Sequence, residues 1–427
     1  MSGFNVCVSV SQDGLNQGSQ TVYTKLHGTG KVFSGSSRIE RDGLTIDVTY
    51  DCTKAPVFDL SPPPAGDLED AMTSMAGLAL CGTDGDATRE LISYAADVAS
   101  SFSVTFPDLS FTFGSKDEPP IELVTDITVL CVVTVDGGNV AFAAIAATAP
   151  KQPTVGAQFV VDTFILPTIK TSANSLFAGL TIPPLDIPGV PLTAPVVVIA
   201  NSRLYAGALL AGQGVPVLPS TGVPGPANPF FMLLDQAAMQ AAASYAVGQS
   251  GTFHKSGKSG GSGFNAHYEF TYRLHNPKVG LDGTSLEIGF QLTGSVGAGV
   301  EVFWVPIGLG YQALAQPDPA ATCALVPDGR RLKIIARSLD AFTLLVVPTG
   351  SIPTKVLSWM TEFIVQGVIG ALAPLIKTFL KDIDFSTLQV PAFTETIAGE
   401  TITITPGDLA VQSVDGRIAL VGQLNYS

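Results

Sequence analysis

A five-residue stretch offers the chain's most direct candidate for catalysis. It reads Gly257-Lys258-Ser259-Gly260-Gly261 and satisfies the G-x-S-x-G pattern of a serine nucleophile elbow. Such an elbow holds its serine on a sharp turn between a strand and a helix, with a histidine and an acid nearby. The stretch lies within residues 248–263, whose glycine, serine and lysine content predicts a loop between a helix and a strand. A serine esterase using Ser259 is therefore only a remote alternative.

The residues that could bind a metal or a phosphate group are scattered along the chain. None of the four histidines stands at metal-ligand spacing with cysteines or carboxylates. These histidines are His27, His254, His267 and His275. The stretch Gly28-Thr29-Gly30-Lys31 lacks the spaced first glycine and the final hydroxyl residue of a phosphate loop. The sequence predicts no catalytic residue, no metal site and no cofactor.

The five cysteines contain no CxxC pair and are far apart. They are Cys7, Cys52, Cys81, Cys131 and Cys323. This spacing predicts reduced and mostly buried thiols, and a bridge between Cys52 and Cys81 stays open.

Residues 355–382, the longest strongly apolar run, predict a helix that other structure surrounds. Its polar residues fall on one helical stripe, and apolar side chains cover most of the remaining circumference. Pro374 is expected to kink or split this helix, because proline removes a donor and crowds the preceding turn. The corresponding earlier helix, residues 156–176, carries Asp162 and Lys170. Since both helices should share one environment, neither is expected to span a membrane.

The end of this apolar run repeats an earlier part of the chain. Pro374-Leu375-Ile376-Lys377-Thr378 corresponds to Pro167-Thr168-Ile169-Lys170-Thr171, and both precede an extended segment and a final strand. This shared order predicts a duplication. Residues 212–228 contain four prolines and four glycines, so they are the expected linker. The first module then covers residues 1–211 and the second covers residues 229–427.

Alternating apolar residues predict β-strands in both modules. Period-two patterns run through residues 43–50, 102–113, 123–135, 139–147, 266–274, 285–292, 298–311, 332–336 and 342–347. Helices are predicted near both module starts, over residues 9–26 and 236–247, and over residues 68–80 and 87–101.

The composition excludes several classes of partner. The net charge of −14, without a basic block, argues against nucleic acid and against polybasic docking on anionic lipid. Only 14% of residues are charged and the mean hydropathy is +0.37, so part of the apolar surface is expected to face an internal cavity. The N-terminal residues lack the pattern of a signal peptide, which predicts a cytoplasmic protein and leaves non-classical export open.

The repeated order of helix, strands, long apolar helix and final strand resembles the tubular lipid-binding superfamily. Within this superfamily, the chain resembles the members that are similar to bactericidal/permeability-increasing protein. It resembles most the bacterial branch that is related to the accessory proteins of clostridial neurotoxin clusters. The segments that carry the resemblance are residues 180–184, 199–204, 388–391 and 414–420. The resemblance implies an α+β fold with two tandem modules, each a highly curved antiparallel β-sheet wrapped around a long apolar helix. Because the chain carries a net negative charge, binding of lipopolysaccharide is not expected from this resemblance.

What the resemblance implies for function is a non-catalytic protein that holds acyl chains in apolar tubes between helix and sheet. The expected ligand is phospholipid or fatty acid, with transient membrane contact, protein partners or a homodimer left open. Side chains on the inward stripes of both helices are the candidate lining: Phe159, Val160, Phe164, Ile165, Ile169, Trp359, Phe363, Ile364, Val368, Leu372 and Phe379. The alternative is a structural or partner-binding component of a protein complex, with filled cores and no ligand, because apolar helical stripes usually form core.

Overall fold

The computed structural model describes most of the chain. It covers residues 3–29, 33–41, 44–61, 63, 100–114, 120–136, 139–177, 181–182, 190–261, 264–302, 305–349, 374, 378, 390, 392–397 and 400–427. The predicted helix over residues 355–382 lies outside these ranges except for Pro374 and Thr378. The predicted helices over residues 68–80 and 87–101 also lie outside, apart from the last two residues.

Two curled antiparallel half-barrel sheets hold most of the described strands. The first sheet has the order β2-β3-β5-β6-β7-β8, with β4 paired to β5. Its strands are β2 (Ser34–Arg41), β3 (Leu44–Cys52), β4 (Val57–Asp59), β5 (Ser101–Gly114), β6 (Ile121–Asp136), β7 (Asn139–Thr148) and β8 (Thr181–Ile182). The second has the order β12-β13-β14-β15-β18, with β16 paired to β14 and β17. Its strands are β12 (Thr252–Gly261), β13 (Phe264–Asp282), β14 (Ser285–Val302), β15 (Val305–Gln316), β16 (Ala320–Asp328), β17 (Arg331–Leu339) and β18 (Thr343–Pro348).

A third sheet contains strands from both halves of the chain. Its order is β19-β20-β21-β11-β1-β10-β9. The strands are β1 (Val6–Ser11), β9 (Val196–Ala200), β10 (Arg203–Ala208), β11 (Phe230–Leu234), β19 (Phe393–Ile397), β20 (Glu400–Val414) and β21 (Arg417–Tyr426). Strands β1 and β11 are neighbours at its centre, with Val8 opposite Met232. This central sheet therefore ties the start of the chain to its end.

Capping side chains set the starts of the helices. Helix α1 (Gln12–Leu26) begins after Ser11, whose hydroxyl accepts a hydrogen bond from the Gly14 N–H at 3.1 Å. Helix α3 (Gln236–Ser250) begins after Asp235, whose carboxylate accepts from the Ala238 N–H at 2.9 Å. Helix α2 is composed of an α-helical piece (Val155–Val160), a π-helical piece (Val161–Ile165) and a second α-helical piece (Leu166–Phe177). Within the described part, none of the helices has the length and apolarity to cross a bilayer.

The Pro/Gly-rich segment 212–228 crosses the outer face of the central sheet. Leu218 and Val223 are buried there in one cluster with Tyr205 and Phe231. The Val217 N–H donates to the Gly3 carbonyl at 2.7 Å. The segment therefore packs on the sheet at Leu218 and Val223, whereas residues 212–215 are exposed, and its role as a domain boundary stays a prediction.

Three details differ from the sequence prediction. Residues 252–261 form strand β12 and not a loop, because they pair in register with β13 despite their weak β-propensity. The extended run 298–311 is two strands, since β14 ends at Val302 and β15 begins at Val305. The first helix begins at Gln12, and residues 6–11 before it are a central strand.

Candidate ligand-binding interior

The inner face of the first curled sheet is apolar along the whole of β5. Phe102, Val104 and Phe106 are buried, and after a register shift Leu109, Phe111 and Phe113 continue the buried face. The shift occurs at Asp108, whose φ of 48° is unusual for an L-residue. Because side chains alternate with period two, this β-bulge changes the parity and keeps the apolar residues inside.

Helix α2 packs directly against this inner face. Val161, Ile165, Ile169 and Ala173 are buried and belong to the same cluster as the inner residues of β5 and β6. The π-helical piece ends at Ile165, and Pro167 is the second residue of the α-helical piece that follows. Since proline lacks an N–H and crowds the preceding turn, the wider π-turn accommodates it without ending the helix.

Side-chain hydrogen bonds near its two ends fix the position of α2 on the sheet. The Asn174 side chain pairs with both backbone groups of Ala144: its Oδ1 accepts from the N–H at 2.7 Å and its Nδ2 donates to the carbonyl at 3.1 Å. Near the start of α2, the Gln152 N–H donates to Gln158 Oε1 at 2.7 Å. Gln152 Nε2 donates to Thr125 Oγ1 at 3.3 Å. The helix is thereby held at both ends.

The structure distributes the predicted lining residues over different environments. Ile165 and Ile169 are buried against the sheet, Val160 is half-buried beside it, and Phe159 is 60% exposed. Phe164 lies in the π-helical piece. The six predicted residues of the second helix lie outside the described residues: Trp359, Phe363, Ile364, Val368, Leu372 and Phe379. The sequence prediction omitted Val161 and Ala173, although each is four residues from a predicted position (Ile165 and Ile169) and so lies on the same helical stripe.

The second curled sheet has a matching apolar inner face. On β13 the residues Phe270, Tyr272 and Leu274 are buried. A register shift between His275 and Lys278 then moves burial to Val279, and Asn276 in this bulge has a φ of 48°. On β14 the even-numbered residues continue the face, namely Leu286, Ile288, Phe290, Leu292 and Val296. Helix α3 packs on the same cluster through its alanines and Met239.

Ionisable groups on the described residues form no reaction centre. His254 Nε2 lies 3.2 Å from Glu269 Oε1, but both side chains are mostly exposed on the outer face. His27 Nε2 is 3.1 Å from Asp51 Oδ1. Among the described residues, no group of three or more potential metal ligands comes together. Ser259 lies within a strand opposite Ala266, so the turn of a nucleophile elbow is not formed.

The four described cysteines are inert by their environment. Cys7, Cys52, Cys131 and Cys323 are buried free thiols. Burial raises the pKa of Cys7 and Cys52 to about 12, and that of Cys323 to about 11. Because the thiolate is the reactive form, these side chains are structural.

A groove of about 350 Å³ opens between β13, β14 and the turn before β16. Lys278, Glu287 and Asp318 line it and are exposed. Val279 and Phe290, which are buried on the inner face of the second sheet, also line the groove, so it lies directly beside the apolar interior.

Comparison with known proteins gives matches by structure alone. No protein-family model matches the chain, and no curated protein matches it. Among solved structures, lipopolysaccharide binding protein is similar over 99% of both chains, with 10% identity and a TM-score of 0.36. P47 of Clostridium botulinum E1 is similar over 99% of this chain and 100% of that chain, with 7% identity and a TM-score of 0.42. P47 from Clostridium botulinum A2 is similar over 99% and 97%, with 7% identity and a TM-score of 0.45.

These matches agree with the resemblance that the sequence features indicated. Their TM-scores lie below 0.5.

Proposed function

We propose that the protein is a non-catalytic lipid-binding protein that holds acyl chains of phospholipid or fatty acid along the inner faces of its curled sheets. The observation that carries this proposal is the continuous apolar inner face of the second sheet. Its inward side chains on β13 and β14 are almost fully buried, at positions from Phe270 to Val279 and from Leu286 to Val296. An acyl chain that ran along these strands would make mostly apolar contacts.

The dimensions and energies fit an acyl chain. The buried inner positions of β13 run from Phe270 to Val279. At about 3.3 Å per residue this face spans about 30 Å. The hydrocarbon core of a bilayer, with its two layers of acyl chains, is about 30 Å thick. Each methylene that leaves water stabilises the complex by about 0.8 kcal/mol, so affinity would rise with chain length.

The first half of the chain favours a second candidate. Its helix α2 contacts the sheet through Val161, Ile165, Ile169 and Ala173 within one core cluster. If both halves are filled in this way, the protein is a structural or partner-binding component of a complex. Lipid binding is proposed for the second sheet, because a buried hydroxyl on its inner face has no hydrogen-bond partner among the described residues.

Obstructing the inner face of the second sheet tests the proposal. Val296→Trp enlarges a side chain that is 1% exposed, whereas Val326→Trp makes the same change where the side chain is 38% exposed. We expect Val296→Trp to reduce binding of oleic acid in isothermal titration calorimetry by at least tenfold, and Val326→Trp to bind normally. Circular dichroism establishes that each variant is folded. Ala315→Leu on the inner face of β15 is a smaller enlargement if Val296→Trp unfolds. Normal binding by folded inner-face variants would contradict the proposed location.

A further inference from the structure

Tyr272 places a polar group on the apolar inner face of the second sheet. Its side chain is fully buried at the middle of β13, between Phe270 and Leu274 on the same face. The Phe270 ring packs edge-on against it, with ring centroids 5.0 Å apart and planes at 68°. On β12 the opposite residue is Phe253. The hydroxyl thus lies on a surface that is formed mostly by apolar side chains, with Tyr311 of β15 as a second buried tyrosine in the same cluster.

A glycine on the neighbouring strand holds the Tyr272 ring in place. Gly294 lies directly opposite Tyr272 in the β13–β14 ladder. A Cβ atom at position 294 would stand 2.4 Å from the ring's Cδ1 and 2.7 Å from its Cε1. The ring therefore lies across β14, which only glycine permits, and its hydroxyl is held over the inner face of the sheet.

Among the residues that the structure describes, the Tyr272 hydroxyl has no hydrogen-bond partner. Two other tyrosines are paired: the Tyr426 hydroxyl donates to the Gly14 carbonyl at 2.5 Å, and that of Tyr23 donates to the Cys52 carbonyl at 2.9 Å. Burial raises the pKa of Tyr272, so the group remains a protonated donor. Because native proteins rarely leave a buried donor unpaired, this one calls for an acceptor.

We infer that the Tyr272 hydroxyl donates a hydrogen bond to an acyl carbonyl oxygen of a bound lipid. The shared chemistry is a carbonyl oxygen at the head of an acyl chain, as found in a free fatty acid or in a glycerol ester. The oxygenated end of the ligand then lies inside the second sheet, and its methylenes follow the apolar face of β13 and β14. This inference rests on the proposed lipid-binding function.

Tyr272→Phe tests the inference, with three ligands titrated into the full-length protein by calorimetry. Oleic acid carries a free acid, monoolein carries an ester, and 1-octadecene has a chain of the same length without oxygen. We expect Tyr272→Phe to lower the affinity for the oxygenated ligand that the protein binds by about three- to tenfold, which corresponds to the loss of one hydrogen bond. Binding of 1-octadecene should not change. Whether the acid or the ester loses affinity distinguishes the two sources.

Tyr23→Phe is the matched control, because that hydroxyl is paired with Cys52 in the first half. It should leave all three affinities unchanged. Lipid-free Tyr272→Phe should melt at the same or a higher temperature than the original protein, since no internal hydrogen bond is lost. A lower melting temperature would reveal a partner within the protein and overturn the inference.

The remaining outcomes separate this inference from the proposed function. If the original protein binds none of the ligands, lipid binding itself fails and the inference falls with it. If Tyr272→Phe binds all three like the original protein, the partner of the hydroxyl is water and only the inference fails. An equal loss for 1-octadecene would assign Tyr272 to packing, which also overturns it.

Discussion

Both curled sheets keep one face apolar by means of a β-bulge, but they differ in whether a polar group on that side has a hydrogen-bond partner. In each, one long strand carries a β-bulge with a left-handed residue, Asp108 in the first and Asn276 in the second. Each bulge moves burial from even to odd positions and keeps one face apolar. In the first sheet the polar group on the helix is satisfied, because Asn174 pairs with Ala144. In the second, the Tyr272 hydroxyl has no partner among the described residues.

This difference indicates that similar apolar patterns can enclose different contents. The first interior is completed by side chains of helix α2. Helix α3 packs on the second, and a ligand is proposed as the remaining partner there, at the Tyr272 hydroxyl. The following substitutions test that contrast, beginning with the largest expected effect.

Truncating one buried phenylalanine in each sheet should separate protein packing from ligand packing. Phe102 in the first sheet and Phe290 in the second are both 1% exposed. Phe102 packs between the rings of Phe58 and Phe142. We expect Phe102→Ala to lower the free energy of unfolding by about 3–5 kcal/mol, equally with and without oleic acid. The loss for Phe290→Ala should depend on the lipid. Urea unfolding with and without oleic acid measures the loss in each variant. If the losses of Phe102→Ala and Phe290→Ala depend equally on oleic acid, the two interiors do not differ in their contents.

Removing the Asn174 side chain, which holds α2 on the sheet, should reduce the stability by less than Phe102→Ala does. Asn174→Ala leaves the N–H and the carbonyl of Ala144 without their partner. We expect a loss of about 1–3 kcal/mol in the free energy of unfolding. Asn174→Asp is the matched variant that removes only the donor: its carboxylate can still accept from the N–H but opposes the carbonyl oxygen, so it should also lose stability. If both variants unfold at the original urea concentration, α2 is not anchored by this side chain.

The smallest effect is expected at the bulge of the second sheet. Asn276 adopts a φ of 48°, which is costly for a β-branched residue. We expect Asn276→Val to destabilise the protein by about 1–2 kcal/mol, whereas Asn276→Gly should be close to neutral. Thermal unfolding of the two variants measures the difference. Equal stability of both would show that the bulge does not require a left-handed residue.

Local patterns in the sequence predict much of the two curled sheets. The change from Phe102, Val104 and Phe106 to Leu109, Phe111 and Phe113 is visible in the sequence, and the structure places a bulge at that point. Pairing between distant segments is not visible in this way. Strand β1 pairs with β11 through residues more than two hundred positions away, and no local period encodes that choice.

The candidate site shows the same limit. The sequence indicates Ile165 and Ile169, which are buried, but it equally indicates Phe159, which is 60% exposed in the structure. The unpaired hydroxyl of Tyr272 has no sequence signal, since an inward tyrosine on a strand is normally taken as core. It becomes visible only when hydrogen bonds are accounted for in three dimensions.

Native mass spectrometry of the purified full-length protein, followed by organic extraction, tests the central claim most directly. We expect adducts with the mass of phospholipid or fatty acid that disappear on denaturation and are recovered in the extract. A protein that shows only its own mass, even after incubation with mixed phospholipids and fatty acids, would contradict lipid binding. The curled sheets would then be a scaffold for protein partners.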